Sequence, residues 1–117
     1  MTSAQVQGWI DAYVEAWRTY DGAAISELFA QDATYRYHPY DDPERGREAI
    51  VRSWTEEPDA PGSWEAEYRP LLIEGDRAVI TGETRYRDGE VFSNLWVLEF
   101  DGEGRCSDFV EWYMQQP

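Results

Sequence analysis

In the N-terminal part of the chain the large side chains recur three and four positions apart. Val6, Ile10, Tyr13, Val14 and Trp17 fall on one side of a helix. Thr2 and Gln5 in front of them form the T-x-x-Q pattern of a capping box. Asp21 suits the N-cap of a second, short helix whose apolar side carries Ile25, Leu28 and Phe29. The period then drops to two. DATYRY (32–37) alternates and predicts a strand, and Pro39 biases His38 toward extended backbone. Gly46 precedes REAIVRSWTEE, where Ile50, Val51 and Trp54 share a face of a third helix that should stop at Pro58. After the loop EPDAPG (57–62), long strands are predicted at about 63–74, 76–87, 90–100 and 104–114, separated by the Gly- and Asp-rich turns EGD, RDGE and DGEG.

The order is helix, helix, strand, helix, then an antiparallel meander, which predicts an α+β domain. A strongly twisted sheet of this kind curls into a half-barrel, and three helices from the N-terminal half can close its open side. The expected shape is a cone with a pocket inside. A chain of 117 residues supports one core, so residues 1–117 are expected to form a single domain.

Composition sharpens this picture. Six Trp, eight Tyr and four Phe give more large rings than a small core needs, since each buries roughly 150–250 Å². Some are left to line a cavity. The net charge of −14 argues against a nucleic-acid partner, which would require a basic face, and against an anionic membrane surface. Cys106 is alone, so neither a disulfide framework nor a cysteine metal pair is expected. No basic region followed by an apolar run opens the chain, and no apolar stretch reaches the ~20 residues of a membrane span. A cytoplasmic location is the default expectation.

Several stretches carry a family likeness: YVEAWRTYDGAAISELFAQDATY (13–35), PERGREAI (43–50), NLWVLEFDGEGRC (94–106) and FVEWY (109–113). In these the chain resembles the nuclear transport factor 2-like superfamily, particularly its SnoaL-like branch. The resemblance implies a cone-shaped half-barrel, with a curved antiparallel sheet and a mixed edge, whose concave face and first helix line a deep apolar pocket. It implies no particular activity, because the superfamily holds isomerases, cyclases, epoxide hydrolases, dehydratases and proteins without chemistry. It also implies a homodimer paired through the outer sheet face, and no cofactor. Ketosteroid isomerase is the best-understood relative. Its oxyanion-binding tyrosine matches Tyr13, but its general-base aspartate falls at Tyr37 and its protonated aspartic acid at Trp96. Steroid isomerisation by that mechanism is therefore not expected.

Four residues stand out as catalytic candidates. Glu111 alternates with its neighbours so that Phe109, Glu111 and Tyr113 share a face, which the resemblance turns toward the pocket. A carboxyl between two rings would be poorly hydrated and usable as an acid or base. The competing reading is a structural glutamate paired with an arginine such as Arg85, or an inverted face. His38 is a candidate because an unperturbed imidazole suits proton transfer at neutral pH. Its competing role is to order the HPYDDP loop with Asp41 or Asp42, and metal binding with these acids or Glu44 is a weaker third reading. Asn94 shares a face with Trp96 and, with Tyr13, could polarise a carbonyl. Otherwise Asn94 serves the backbone and Trp96 fills the core.

Trp17, Tyr35, Tyr37, Trp54, Trp96, Phe109 and Tyr113 are the expected substrate-binding walls, although helical aromatics bury against a sheet in any fold. Tyr35 and Tyr37 share a face, so both look inward or neither does. Glu65, Glu67, Arg69, Glu83 and Arg85 read as cross-strand pairs on an exposed face, with Glu83 and Arg85 assignable to either face. No serine elbow, phosphate loop, dinucleotide fingerprint or H-E-x-x-H motif is present.

The sequence thus points to a pocket for a small, largely apolar organic molecule. As an enzyme it would move a proton on a carbonyl-containing or epoxide-like substrate without a cofactor. Glu111 or His38 would carry the proton, while Tyr13 and Asn94 would stabilise negative charge. The alternative is a non-catalytic ligand-binding or dimerisation domain of the same fold.

Overall fold

A computed structural model describes residues 1–117. Helix α1 (Ser3–Thr19) opens with the expected capping box, Thr2 accepting from the Gln5 amide at 3.1 Å and Gln5 accepting from the Thr2 amide at 2.8 Å. It buries Val6, Trp9, Ile10, Tyr13 and Ala16. Helix α2 (Gly22–Leu28) is capped by Asp21, whose carboxylate accepts from the Ala23 amide.

Strand β1 (Phe29–Arg36) follows α2 without a turn, so Phe29, expected on the helix, is the first residue of the strand. Arg47 fixes that junction by donating twice to the Phe29 carbonyl, at 3.0 and 2.8 Å. A short β2 (Glu44–Arg45), too brief to show a period, pairs back onto β1 before α3 (Arg47–Glu56). The meander β3 (Trp64–Glu74), β4 (Arg77–Tyr86), β5 (Val91–Phe100) and β6 (Cys106–Gln115) lies within two residues of expectation. No helix is long and apolar enough to cross a membrane.

The six strands form one curved, unclosed sheet in the order β2-β1-β6-β5-β4-β3. Only the β1–β6 pairing is parallel, and it sets Tyr35 beside Phe109. The three helices close one side of this sheet and make an α+β cone. The core is aromatic: Phe109 is fully buried, with Tyr35 stacked on it at 4.2 Å and Tyr13 at 5.7 Å.

Alternation assigns the faces. Thr84, Asn94, Trp96 and Glu111 are concave, whereas Arg85 reaches Glu67 at 3.4 Å and Glu65 at 3.9 Å on the convex side. Glu83, one residue before Thr84, shares the convex face with Arg85.

Gly82 stands between Tyr68 on β3 and Asn94 on β5. A Cβ there would collide with the Glu67 carbonyl and with the Tyr68 ring and Cα. Glycine in this strand is therefore the space over which the Tyr68 ring lies. Gly82→Ala should destabilise the fold by about 2–3 kcal/mol through overpacking. Thermal unfolding should show the midpoint falling by roughly 10 °C, and a change under about 2 °C would mean that β3 absorbs the methyl group.

Candidate functional site

Between α1, α3 and the concave face lies a cavity of about 720 Å³. Tyr13 and Trp17 come from α1, Tyr20 from its end, Tyr35 and Tyr37 from β1 and the residue just after it, and Ser53 and Trp54 from α3. The sheet adds Tyr68, Thr84, Tyr86, Phe92, Asn94, Trp96, Glu111 and Tyr113. Glu57, Asp59, Asp88 and Glu90 complete the lining from loops.

Glu111 faces this cavity from the middle of β6, directly opposite Trp96 on β5. Its Oε2 accepts from Asn94 Nδ2 at 2.6 Å and from Trp96 Nε1 at 3.0 Å. The amide is in turn oriented by Thr84, which donates to Asn94 Oδ1 at 2.8 Å. That uses the single hydroxyl proton of Thr84, so Tyr68 is the donor in the 2.6 Å contact between Tyr68 and Thr84. The chain of donors therefore runs one way, from Tyr68 through Thr84 and Asn94 to the carboxylate. Glu111 Oε1 has no protein partner and is not among the sealed, unpartnered atoms, so it is the oxygen open to the cavity.

Burial pushes the Glu111 carboxyl up from 4.5 to about 7, against the two hydrogen bonds and the more distant His38, which pull it down. Desolvation prevails because no cation pairs with it. Arg85, the suggested partner, is on the other face of the sheet. A carboxyl balanced near neutrality can both take and return a proton.

Tyr13 and Tyr35 are buried and their hydroxyls meet at 2.9 Å. Burial, then neighbouring charge and phenols, holds both well above the usual phenol range. Two protonated hydroxyls sharing one hydrogen bond leave one proton over, available to an acceptor in the cavity.

The other expected residues separate into wall and support. Tyr37 lines the cavity and meets Ser53 at 2.6 Å, so Tyr35 and Tyr37 both look inward. Trp17 and Trp54 are walls, and the Trp54 indole N–H is buried without a partner. Tyr113 lies at the rim, half-exposed. Phe109 does not line the cavity, because it is fully buried beneath the rings of Tyr13 and Tyr35.

Two roles expected of the catalytic candidates need revision. Asn94 lines the cavity, but one amide proton goes to Glu111 and its carbonyl accepts from Thr84, so it holds the carboxylate and keeps only its second amide proton uncommitted. His38 lies outside the lining, with Nδ1 at 2.9 Å from Asp41 and Nε2 at 2.8 Å from the Tyr113 hydroxyl. Both ring nitrogens are occupied, and the residue orders its loop. His38 and Asp41 do not extend to a metal-binding group, as no set of three His, Cys, Asp or Glu side chains is arranged for one.

Sequence reasoning passed over Tyr68 and Thr84. A signal for Thr84 existed, because placing Glu83 and Arg85 on the exposed face puts Thr84 inward. Tyr20 and Asp59 meet across 39 positions and had no local signal.

The raised carboxyl has a consequence for stability. Between pH about 4.5 and 7 the folded protein keeps the Glu111 proton while the unfolded chain has released it. Stability should therefore fall as pH rises through that window, by at most about 3 kcal/mol, with cavity water reducing the figure. Glu111→Gln should remove this slope and be the more stable protein at about pH 8. Carbon-13 NMR of the Glu111 carboxyl should show a midpoint near 7, and one below about 5 would mean a solvated carboxylate.

A model of the SnoaL-like domain matches residues 10–113. Among solved structures, an NTF-2 like protein of unknown function from Burkholderia xenovorans LB400 is similar with TM-score 0.74 and 18% identity, over 97% of this chain and 88% of that one. A Kribbella flavida DSM 17836 protein, provisionally titled a ketosteroid isomerase, gives TM-score 0.75 and 20% identity over 98% and 82%. An NTF2-like protein of unknown function from Mesorhizobium loti gives 0.67 and 24% over 96% and 93%. These likenesses are of fold. Among curated proteins none matches in sequence. With the domain match running from α1 into β6, the chain belongs to the SnoaL-like domain family.

Proposed function

We propose that the cavity binds a small organic molecule with an apolar body and that Glu111 exchanges a proton with it. The observation that carries this reading is the divided carboxylate: Oε2 held by Asn94 and Trp96, Oε1 free in an aromatic cavity. In the forward step Oε1 takes a proton from a carbon next to a carbonyl, and the C–H electron pair moves toward the carbonyl oxygen. The spare hydroxyl proton of the Tyr13–Tyr35 pair donates a hydrogen bond to that oxygen as charge develops. Return of the proton from Glu111 to another carbon of the same molecule completes an isomerisation. The same groups would serve a cyclisation or the opening of an epoxide. Asn94, Thr84 and Tyr68 are positioning residues in this scheme.

Nitrobenzisoxazole tests the base directly. Its ring opens to a cyanophenolate when one C–H proton is taken and the N–O bond breaks, with no cofactor. The protein should accelerate this reaction with a rate that rises with pH through about 7, following Glu111 ionisation. Glu111→Gln should cost about 10²-fold or more. Equal rates for the two proteins would remove Glu111 as a base.

We also propose a homodimer, on a separate observation. Adjacent rows of convex side chains are apolar: Leu72, Val79, Val97 and Val110 form one, and Leu95 with Trp112 continue it. Leu72, Trp112 and Met114 are exposed in the isolated chain. Burying such a face is the ordinary use of contiguous apolar surface. Sedimentation should show a dimer for the native protein and a monomer for Trp112→Glu with unchanged circular dichroism. A native monomer at high micromolar concentration would refute the dimer.

A further inference from the structure

We infer that the molecule this cavity takes is an organic cation, an amine or quaternary ammonium whose charge is directed toward the carboxylates and whose apolar body rests on the aromatic walls. The inference rests on the reading of this cavity as the binding site. It concerns what enters the cavity, and does not depend on catalysis there.

The lining holds Glu57, Asp59, Asp88, Glu90 and Glu111 but no Lys, Arg or His. None of the chain's ten arginines is among the 19 residues that line the cavity. Arg18, on α1 beside the wall residue Trp17, turns to Glu15 at 3.0 Å and over the Trp64 ring. Arg85 faces the convex side, leaving Thr84 to the cavity. The free oxygen of Glu111 is thus a carboxylate in an aromatic enclosure without a counter-charge, and a cationic ligand would supply it.

Asp59 is a second built element. Its Oδ2 accepts from Trp17 Nε1 at 3.1 Å and from the Tyr20 hydroxyl at 3.3 Å, while that hydroxyl accepts from the Asp59 amide at 2.8 Å. Tyr20, which reaches across to hold it, is the one non-glycine residue with positive φ, at 52°. That conformation is the left-handed C-cap with which α1 stops, its N–H bonded to the Ala16 carbonyl. Tyr86 lines the same cavity as Asp59 and Glu111, and its phenol is pushed up to about 12, first by burial and then by those two carboxylates. Tryptophan and tyrosine rings are favourable neighbours for an ammonium group. Phosphates, sulfates and carboxylates would meet five like charges.

Three probes of one shape decide the matter: para-(hydroxymethyl)phenyltrimethylammonium, its uncharged isostere para-tert-butylbenzyl alcohol, and para-(hydroxymethyl)benzenesulfonate. Binding is read from the indole N–H signals of Trp17 and Trp96 by NMR at about pH 8, where Glu111 is ionised. The ammonium should bind at least about tenfold more tightly than the alcohol, and the sulfonate should shift neither signal. Replacing the exposed rim acids by Glu57→Gln, Asp88→Asn and Glu90→Gln together should weaken the ammonium about threefold at low salt and leave the alcohol unchanged.

An alcohol that binds as tightly as the ammonium, or a sulfonate that binds at all, overturns the inference and leaves the acid–base reading standing. Failure of all three probes, with nitrobenzisoxazole still turned over, does the same. Tight ammonium binding by a protein inactive on nitrobenzisoxazole supports the inference and removes the catalytic reading.

Discussion

The site depends on a single balance at one carboxyl group. Two donors favour the charged form of Glu111, and the aromatic enclosure disfavours it more strongly, leaving the group near neutrality. Either influence alone would give an inert side chain. Without burial the carboxylate would stay ionised at every physiological pH. Without Asn94 and Trp96 it would be a buried neutral acid, poor at accepting a proton. The surrounding structure can be understood as the means of holding both influences at once.

The donors come from the sheet and the enclosure from the helices. Trp96 and Glu111 are cross-strand neighbours, so β5–β6 pairing alone delivers the indole N–H. The amide needs more. Asn94 is turned by Thr84 on β4, and Thr84 is held by Tyr68 on β3, so four consecutive strands contribute one residue each. Gly82 makes the chain possible by leaving room for the Tyr68 ring. On the other side, Tyr13 of α1 and Tyr35 of β1 join hydroxyls over Phe109, which ties the helical lid to the one parallel strand pair.

What could be read in the sequence was whatever depends on local period. Helices, the long strands and the face shared by Phe109, Glu111 and Tyr113 follow from spacing, and the family resemblance supplied the cone, the inward direction of that face and the position of Tyr13. What could not be read depends on pairing between distant segments. Phe109 shares a face with Glu111, yet β1 joins β6 and covers Phe109 with the Tyr35 ring, while Glu111 two residues on stays open. His38 looked reactive because an imidazole suits proton transfer. Asp41, three residues away, and Tyr113, 75 away, take both its nitrogens. Asn94 lines the concave face, but its partners decide its role, and they lie on β4 and β6.

The comparison with ketosteroid isomerase then takes a physical form. At the position of that enzyme's protonated acid stands Trp96, an N–H donor that can never be a proton acid at neutral pH. Its indole points at Glu111, one strand away, so here β5 carries a donor and β6 the titrating acid. Tyr37, at the position of the base, hydrogen-bonds to Ser53 and forms wall. A proton exchanged with Glu111 would therefore enter the cavity from β6 rather than from the strand after the second helix. A substrate would have to present its reactive carbon to β6 while its polar end remained within reach of the Tyr13–Tyr35 hydroxyls. In the proposed reading the scaffold is shared and the axis of proton movement across it is different.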